Sequence, residues 1–571
     1  MQDLTAPAAA LVAVIHVAPG ERVAAGAPLL TTELMKMSHI LRALAPCRVE
    51  AIHVAPGDAL EAGQRLMTLA PAEAPVHTAE AKPTERPERT RLTERLKAIE
   101  TRPEAAAKRH AKGLRTAREN VLDLADPGSF TEYGAHALAA QRTARTAEDL
   151  AARTPADGII TGTCTVGGTP VGVMAVDYTV LAGTQGYFHH RKIDRLLEAA
   201  TGLPLVLYAE GGGGRPGDVD ADPLVAAGLN LHSFANFAAH RGLKIGIAAG
   251  YCFAGNAALW GVCDIRIATQ GANIGMGGPA MIEGGGLGTV APQDIGPAAV
   301  HARIGTLDLL AEDEAEATAQ ARALLTLTPE PAPAHDPAPL ASVVPADRGE
   351  AYDMREAIAA LTDSFLELKS DHAPGMITGI ARIQGRAIAL MANNPLHLGG
   401  AIDAEAASKG AAFITLAGQL NLPLLSLIDT PGFMVGPGTE ATGQVGATAA
   451  LFRAGAAFRG PWVALILRKA YGLGAMAMAG GSLARPILTA GWPTAEIGAM
   501  GLEGAVKLGY RARLEAIADP ADRQAEEGRL LAAMYDRGSA LNAASLLEFD
   551  TVILPEDSRN VIARALNAAL A

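Results

Sequence analysis

The strongest constraint on this chain is that it repeats itself at two scales. Residues 15–20 read IHVAPG, and residues 52–57 read IHVAPG again. At the same offset of 37, Val23 answers Leu60, Gly26 answers Gly63 and Leu29 answers Leu66. Each copy alternates apolar residues, reaches Pro-Gly and places a second glycine six positions on. That pattern spells strand, turn, strand. Two such halves bury one apolar face against each other, so residues 1–70 are expected to form a small all-β flattened barrel made by duplication.

The rest of the chain is duplicated as well. ITGTCTVGGTPVGVMA (160–175) aligns with ITGIARIQGRAIALMA (377–392) at an offset of 217. Lys192 and Lys409 keep that offset, each opening a helical pattern. Both helices run into a buried-type strand, LPLVLYAEGGGG from 203 and LPLLSLIDTPG from 422. Further on, AGNAALWG with ANIGMGG is answered by LGAMAMAG with AEIGAMG. Strands alternating with helices imply α/β layers, and the duplication implies two homologous domains. Two Pro/Ala-rich stretches, 71–90 and 327–345, read as linkers. From 91 to 125 a charged helical pattern leads into the first half.

At 571 residues the chain is too long for a single core. A net charge of −12 argues against nucleic acid as the main partner, because phosphate binding needs a basic surface. Cys47, Cys164, Cys252 and Cys263 form no CxxC pair and no zinc spacing, so reduced buried thiols and no metal are expected. His16 and Pro19 interrupt the N-terminal apolar run, and no basic segment precedes it, which argues against a signal peptide. No run reaches the roughly 18 apolar residues of a membrane span. A soluble, cytoplasmic protein is expected.

Three motifs carry chemistry. In TTELMKMSH (31–39), Lys36 stands between Met35 and Met37 at the reversal between the two barrel halves. Burying this run would leave an ammonium without a partner, at a cost of several kcal/mol. Exposing it suits an enzyme that must find and acylate the amine. EGGGGR (210–215) follows an apolar strand but lacks the Gly-Lys-Ser/Thr end of a P-loop and fits a dinucleotide fingerprint poorly. DTPG (429–432) is read as strand-end turn chemistry. Glycine amides after a strand can instead form an oxyanion hole, where one donor contributes about 2.7–4 kcal/mol. RKAYGLGAMAM (468–478) offers an equivalent in the second half. No Ser/His/Asp triad or catalytic carboxylate pair emerges; His189 and His190 are weighed as bases against a helix-start structural role.

Residues 1–70 resemble the biotinyl (biotin carboxyl carrier) domain, marked by a modified lysine in a Met-Lys-Met turn, with Leu34 here where alanine is usual. Residues 100–571 resemble the carboxyltransferase (β) subunit of acyl-CoA carboxylases of the propionyl- and methylcrotonyl-CoA type. The matching stretches include DPGSFTEYG, HHRKI, NNPLHLGGAID, DTPGFMVG, LRKAYGLGAMAM and WPTAEIGAMGLEGAV. That resemblance implies two crotonase-like halves, 91–326 and 346–571. It places one oxyanion pair at Gly212 and Gly213, with the usual SGGAR altered at Gly211 and Gly214. The second pair falls at Leu473 and Gly474, with Gly472 just before.

The resemblance further implies biotin on Lys36, attached by a biotin protein ligase. It implies transfer of CO2 from carboxybiotin to an acyl-CoA through an enolate held by backbone amides. ATP, Mg2+ and bicarbonate would be used by a separate biotin carboxylase subunit. CoA phosphates would meet Arg109, Lys112 or Lys192, unless these are screened surface charges; Ala475 and Met476 would shape the acyl pocket. A homo-oligomer, typically a hexamer, is implied, its site formed between the first half of one subunit and the second half of another. The alternatives are the same site in a biotin-dependent decarboxylase or transcarboxylase complex, or a non-catalytic biotin carrier and scaffold.

Overall fold

The computed structural model describes residues 1–73, 86–220, 229–334 and 336–570. They form two compact units, Met1–Leu92 and Thr93–Ala571. Through Pro71 the first is all-β, built from two four-stranded sheets. One holds Gln2–Thr5, Arg65–Pro71, Cys47–Ile52 and Arg22–Val23; the other holds Met37–Arg42, Pro28–Leu34, Ala10–Ile15 and Ala59–Leu60. Each sheet mixes strands from both copies of the repeat. Val12, Leu29 and Leu30 from one copy meet Val49, Leu66 and Met67 from the other in a single core. The repeat extends to hydrogen bonds: His16 contacts Thr31 Oγ1 at 2.7 Å, and His53 contacts Thr68 Oγ1 at 2.9 Å.

The second unit holds two sheets of eight strands each. In the first, Thr131–Tyr133, Ile159–Val166 and Thr169–Val176 are antiparallel neighbours. The sheet then continues in parallel through Leu205–Gly211, Lys244–Phe253, Ile265–Thr269 and Leu309–Ala311. In the second, Ser364–Leu368, Met376–Ile383 and Arg386–Asn393 repeat the antiparallel part. Leu424–Thr430, Trp462–Tyr471, Leu488–Gly491 and Thr551–Val552 repeat the parallel part. Apolar strands covered by helices on their faces are what a parallel arrangement requires. One continuous core draws Val206 and Ile245 from the first half together with Leu424 and Ile466 from the second. These are the two crotonase-like halves.

The 217-residue offset survives in backbone detail. A Cβ on Gly162 would meet Thr131 O at 2.3 Å and the Phe130 ring at 2.5 Å; one on Gly379 would meet Leu366 O at 2.4 Å and the Phe365 ring at 2.5 Å. Lys192 and Lys409 are both buried. The Lys192 ammonium donates to Ala156 O, at 2.9 Å, and to Ile159 O; that of Lys409 donates to Lys369 O and His372 O, both at 2.8 Å. Each amine caps the turn that opens its half's central hairpin. Lys192 is therefore neither a surface cation nor placed to meet a phosphate, and burial lowers its pKa to about 8.

Two stretches differ from their linker appearance. Residues 74–85 lie outside the described residues, but helix Pro87–Glu100 starts inside the expected tether, with Glu88 in its first turn. The Pro/Ala run after 327 is anchored: Glu330 N donates to Gly385 O at 2.9 Å, and Leu340 is buried in the second-half core. The charged run from 91 to 125 is three helices rather than one. It is broken before Pro103, whose ring disfavours helix in the preceding residue, and at Gly113, with φ +70°.

Candidate functional site

At the tip of the Pro28–Leu34/Met37–Arg42 hairpin, Met35 and Lys36 take φ of +52° and +65°. Such left-handed turns suit hairpin twist and normally use Asn-Gly, so two residues with side chains here are strained by roughly 1–2 kcal/mol each. The strain keeps the tip sharp and its side chains out: Met35 is 90% and Met37 66% exposed, and Lys36 is exposed between them. An accessible amine at such a tip, clear of the packed barrel, fits a covalently attached biotin.

In the other unit each half brings a strand-end loop against the start of a helix. Leu205–Gly211 runs into Gly212 and Gly213, and a Cβ on Gly213 would stand 2.9 Å from Ala254 Cβ. Ala254 precedes helix Gly255–Val262 with φ +52° and ψ −119°, a region costly for any side chain. Leu424–Thr430 likewise runs into Gly432, and a Cβ on Gly474 would stand 2.7 Å from Gly432 Cα. Gly472 opens helix Gly472–Met478 with φ +56°, the conformation Ala254 takes in the first half. Helix starts leave N–H groups without intrahelical partners, so each half sets a glycine loop beside amide donors of that kind. Gly212 N–H is engaged by Ala182 O at 3.3 Å, which leaves Gly213 N–H as the donor of that pair.

Charged groups stiffen the first loop from below. Arg215 is buried against Asp157 and Asp218 and donates to Thr184 O at 2.6 Å. Glu210 pairs with Arg109 at 2.6 Å, and burial pushes its carboxyl up to about 7 against the pull of that guanidinium. In the second half Asp429 pairs with Arg468 at 3.0 Å, both buried. Beside Glu210 opens a cavity of about 1060 Å3, lined among others by Arg102, Lys108, Lys112, Tyr178 and Tyr251.

Comparison with known proteins agrees with this geometry. The carboxyl transferase domain family matches residues 108–571, and the biotin-requiring enzyme family matches residues 2–69. The chain belongs to the carboxyl transferase family. It is 33% identical over 80% of its length to the methylmalonyl-CoA carboxyltransferase 12S subunit of Propionibacterium freudenreichii subsp. shermanii, covering 89% of that protein. It is 34% identical over 87% of its length to the propionyl-CoA carboxylase beta chain of Saccharopolyspora erythraea, covering 94% of that chain. A single-chain, multi-domain long-chain acyl-CoA carboxylase superposes on 99% of it with a TM-score of 0.78 and 46% identity. The chain spans 56% of the length of that structure.

In this carboxyltransferase the expected site residues separate into two groups. Gly212, Gly213, Gly472, Leu473 and Gly474 lie where the loops meet the helix starts. Lys112 is exposed and lines the cavity. Arg109 also lines the cavity, but it is buried, paired with Glu210 and bonded to Arg115 O. Ala475 is 2% exposed and faces the core, so it does not shape a pocket; Leu473 and Met476 present the apolar surface there. His189 and His190 are buried, and burial lowers both pKa values, that of His190 to about 4. Residue types alone did not single out Ala254 or Gly432. The paired central strands Lys244–Phe253 and Trp462–Tyr471 bring Ala254 to the place of Gly472, and the alignment of the two LPL runs brings Gly432 to the place of Gly213.

Proposed function

We propose that this chain is the carrier and carboxyltransferase component of a biotin-dependent acyl-CoA carboxylase acting on a long-chain acyl-CoA. The observation that carries the reading is the twofold convergence of a glycine loop on a helix start, one per half. A reaction through an enolate needs donors aimed at developing oxyanions, and rigid backbone amides supply them without reorganisation. Gly213 N–H in the first half, and Leu473 and Gly474 N–H in the second, serve in that role. Attached to Lys36, biotin supplies the transferable carboxyl group and the ureido nitrogen that takes the α-proton. The protein contributes orientation and exclusion of water. Lys108, Lys112 and Arg102 offer cations to the CoA phosphates at the cavity wall.

Chain length is argued from two sides. The 46% identity to a long-chain carboxylase runs along nearly the whole chain. The second loop exposes Val435 (79%), and the helix start beside it exposes Leu473 (59%) and Met476 (37%), apolar surface of the kind an alkyl chain would cover. Partners under this reading are a biotin carboxylase using ATP, Mg2+ and bicarbonate, a biotin protein ligase, and further copies of the chain in a hexamer. Four buried free thiols favour a cytosolic setting.

An acyl-CoA panel assay of the full chain with a biotin carboxylase tests this. Palmitoyl-CoA is expected to be carboxylated faster than propionyl-CoA, and intact mass should show one biotin that Lys36→Arg abolishes together with turnover. Undiminished carboxylation by Lys36→Arg would overturn the reading. A preference for propionyl-CoA would overturn its chain length alone, and transfer to a keto acid without ATP would favour a transcarboxylase.

A further inference from the structure

The first glycine loop is held by a side chain to which the mechanism above gives no part. Asn256 is fully buried at the second position of helix Gly255–Val262. Its Nδ2 lies 2.9 Å from Gly183 O, 2.9 Å from Glu210 O and 2.8 Å from Gly212 O. A carboxamide carries two N–H hydrogens, so three carbonyls converge on two donors and one hydrogen is shared. Asn256 Oδ1 accepts from Gln185 Nε2 at 2.9 Å, which fixes which end of the amide faces the carbonyls. Gln185 also joins the loop through its backbone: its N–H donates to Gly213 O at 2.8 Å and its carbonyl accepts from Arg215 N at 2.9 Å.

The peptide bond supplies the link to function. In a planar trans peptide the carbonyl and the next residue's N–H point in opposite directions. Gly212 O is drawn inward to Asn256, so Gly213 N–H must point outward, toward the space in front of the helix start. We propose that Asn256 is a positioning residue for the first oxyanion site, aiming Gly213 N–H by binding the other side of its peptide. This rests on the oxyanion role given to Gly213 above. Counted from the ends of the paired central strands, Phe253 and Tyr471, the equivalent place in the second half is Gly474, which has no side chain to do this.

Asn256→Asp tests it in the biotinylated full chain, because the variant keeps the shape and replaces the donors by a carboxylate facing three carbonyls. With palmitoyl-CoA as probe, kcat is expected to fall about 100-fold while KM stays within about threefold. Hydrogen exchange should speed up at residues 211–214 and stay unchanged at 430–433. Asn256→Ser keeps one donor and should recover part of kcat; it decides the matter if Asn256→Asp fails to fold. The proposal falls if kcat stays within about threefold in the folded variants. It also falls if exchange rises equally in both loops while kcat and KM worsen together. Gly213→Ala separates the two ideas. If it abolishes turnover while the Asn256 variants do not, only the positioning role is lost; if neither matters, the oxyanion reading goes as well.

Discussion

In both halves of the carboxyltransferase a glycine loop closes on the start of the helix after the long central strand, yet the two contacts are made of different materials. In the first half a buried carboxamide, Asn256, gathers carbonyls from two segments, and the strained residue beside it is an alanine. In the second half backbone meets backbone: Gly474 sits against Gly432, and Gly472 takes the left-handed conformation that glycine adopts cheaply. One duplicated scaffold thus reaches the same approach either by hydrogen bonding or by omitting side chains. The first solution is sensitive to chemistry at constant size, the second to size alone.

The largest effect should come from breaking the backbone contact. Gly474→Ala puts a Cβ 2.7 Å from Gly432 Cα, where only backbone movement gives relief. A loss of kcat of about 100- to 1,000-fold is expected, read by steady-state carboxylation with the fold checked by circular dichroism. Next come the two lysines, which should show the halves behaving alike. Lys192→Met and Lys409→Met each strand two carbonyls, and a cost of about 2–3 kcal/mol in each is expected from denaturant unfolding. A much smaller cost in one half would break the symmetry drawn here.

Acid should separate the halves. His189 and His190 stand at the 217-residue offset from Ala406 and Ala407, and among the described residues only the first half buries imidazoles. A histidine whose folded pKa lies below its unfolded value of about 6.5 adds stability above that pH and loses it as pH falls. For His190, at about 4, the loss at a pH of about 5 is on the order of 2 kcal/mol. Hydrogen exchange should show the first half opening before the second. His190→Gln would flatten that difference. The smallest effect is expected from Ala254→Gly, which removes a strained conformation but adds chain entropy. A net gain of about 1 kcal/mol in thermal stability is expected, with the opposite sign sinking the claim of strain.

Much of this was legible in the residues, for a specific reason. A duplicated sequence shows its own alignment, so the IHVAPG copies revealed the paired halves of the barrel, and the 217-residue offset revealed two α/β halves. Lys36 stood out because it is a lone cation between two methionines at a chain reversal, where Gly, Asn or Asp is usual. The fate of each cation was less legible. Arg109 and Lys112 in the charged run, and Lys192 in a later helix, look alike as cations, but one is committed to Glu210, one faces a cavity and one caps a turn. Burial is a property of the packed whole, and a lysine whose stem crosses a core does not announce itself locally. Ala475 was misplaced for the same reason: on a short helix the face turned to the core depends on what packs against it.

By itself, then, the sequence determined the repeats, the α/β character of the two halves, the lysine between two methionines and the two glycine-rich strand ends, because periodicity, backbone freedom and spacing are local properties. Only the tertiary structure decided which amide N–H groups point outward and what aims them. Gly213 and Asn256 are 43 residues apart in sequence and become neighbours only when parallel strands are laid side by side. The direction of a peptide N–H is set by what its carbonyl binds, and that partner lies in another segment of the fold.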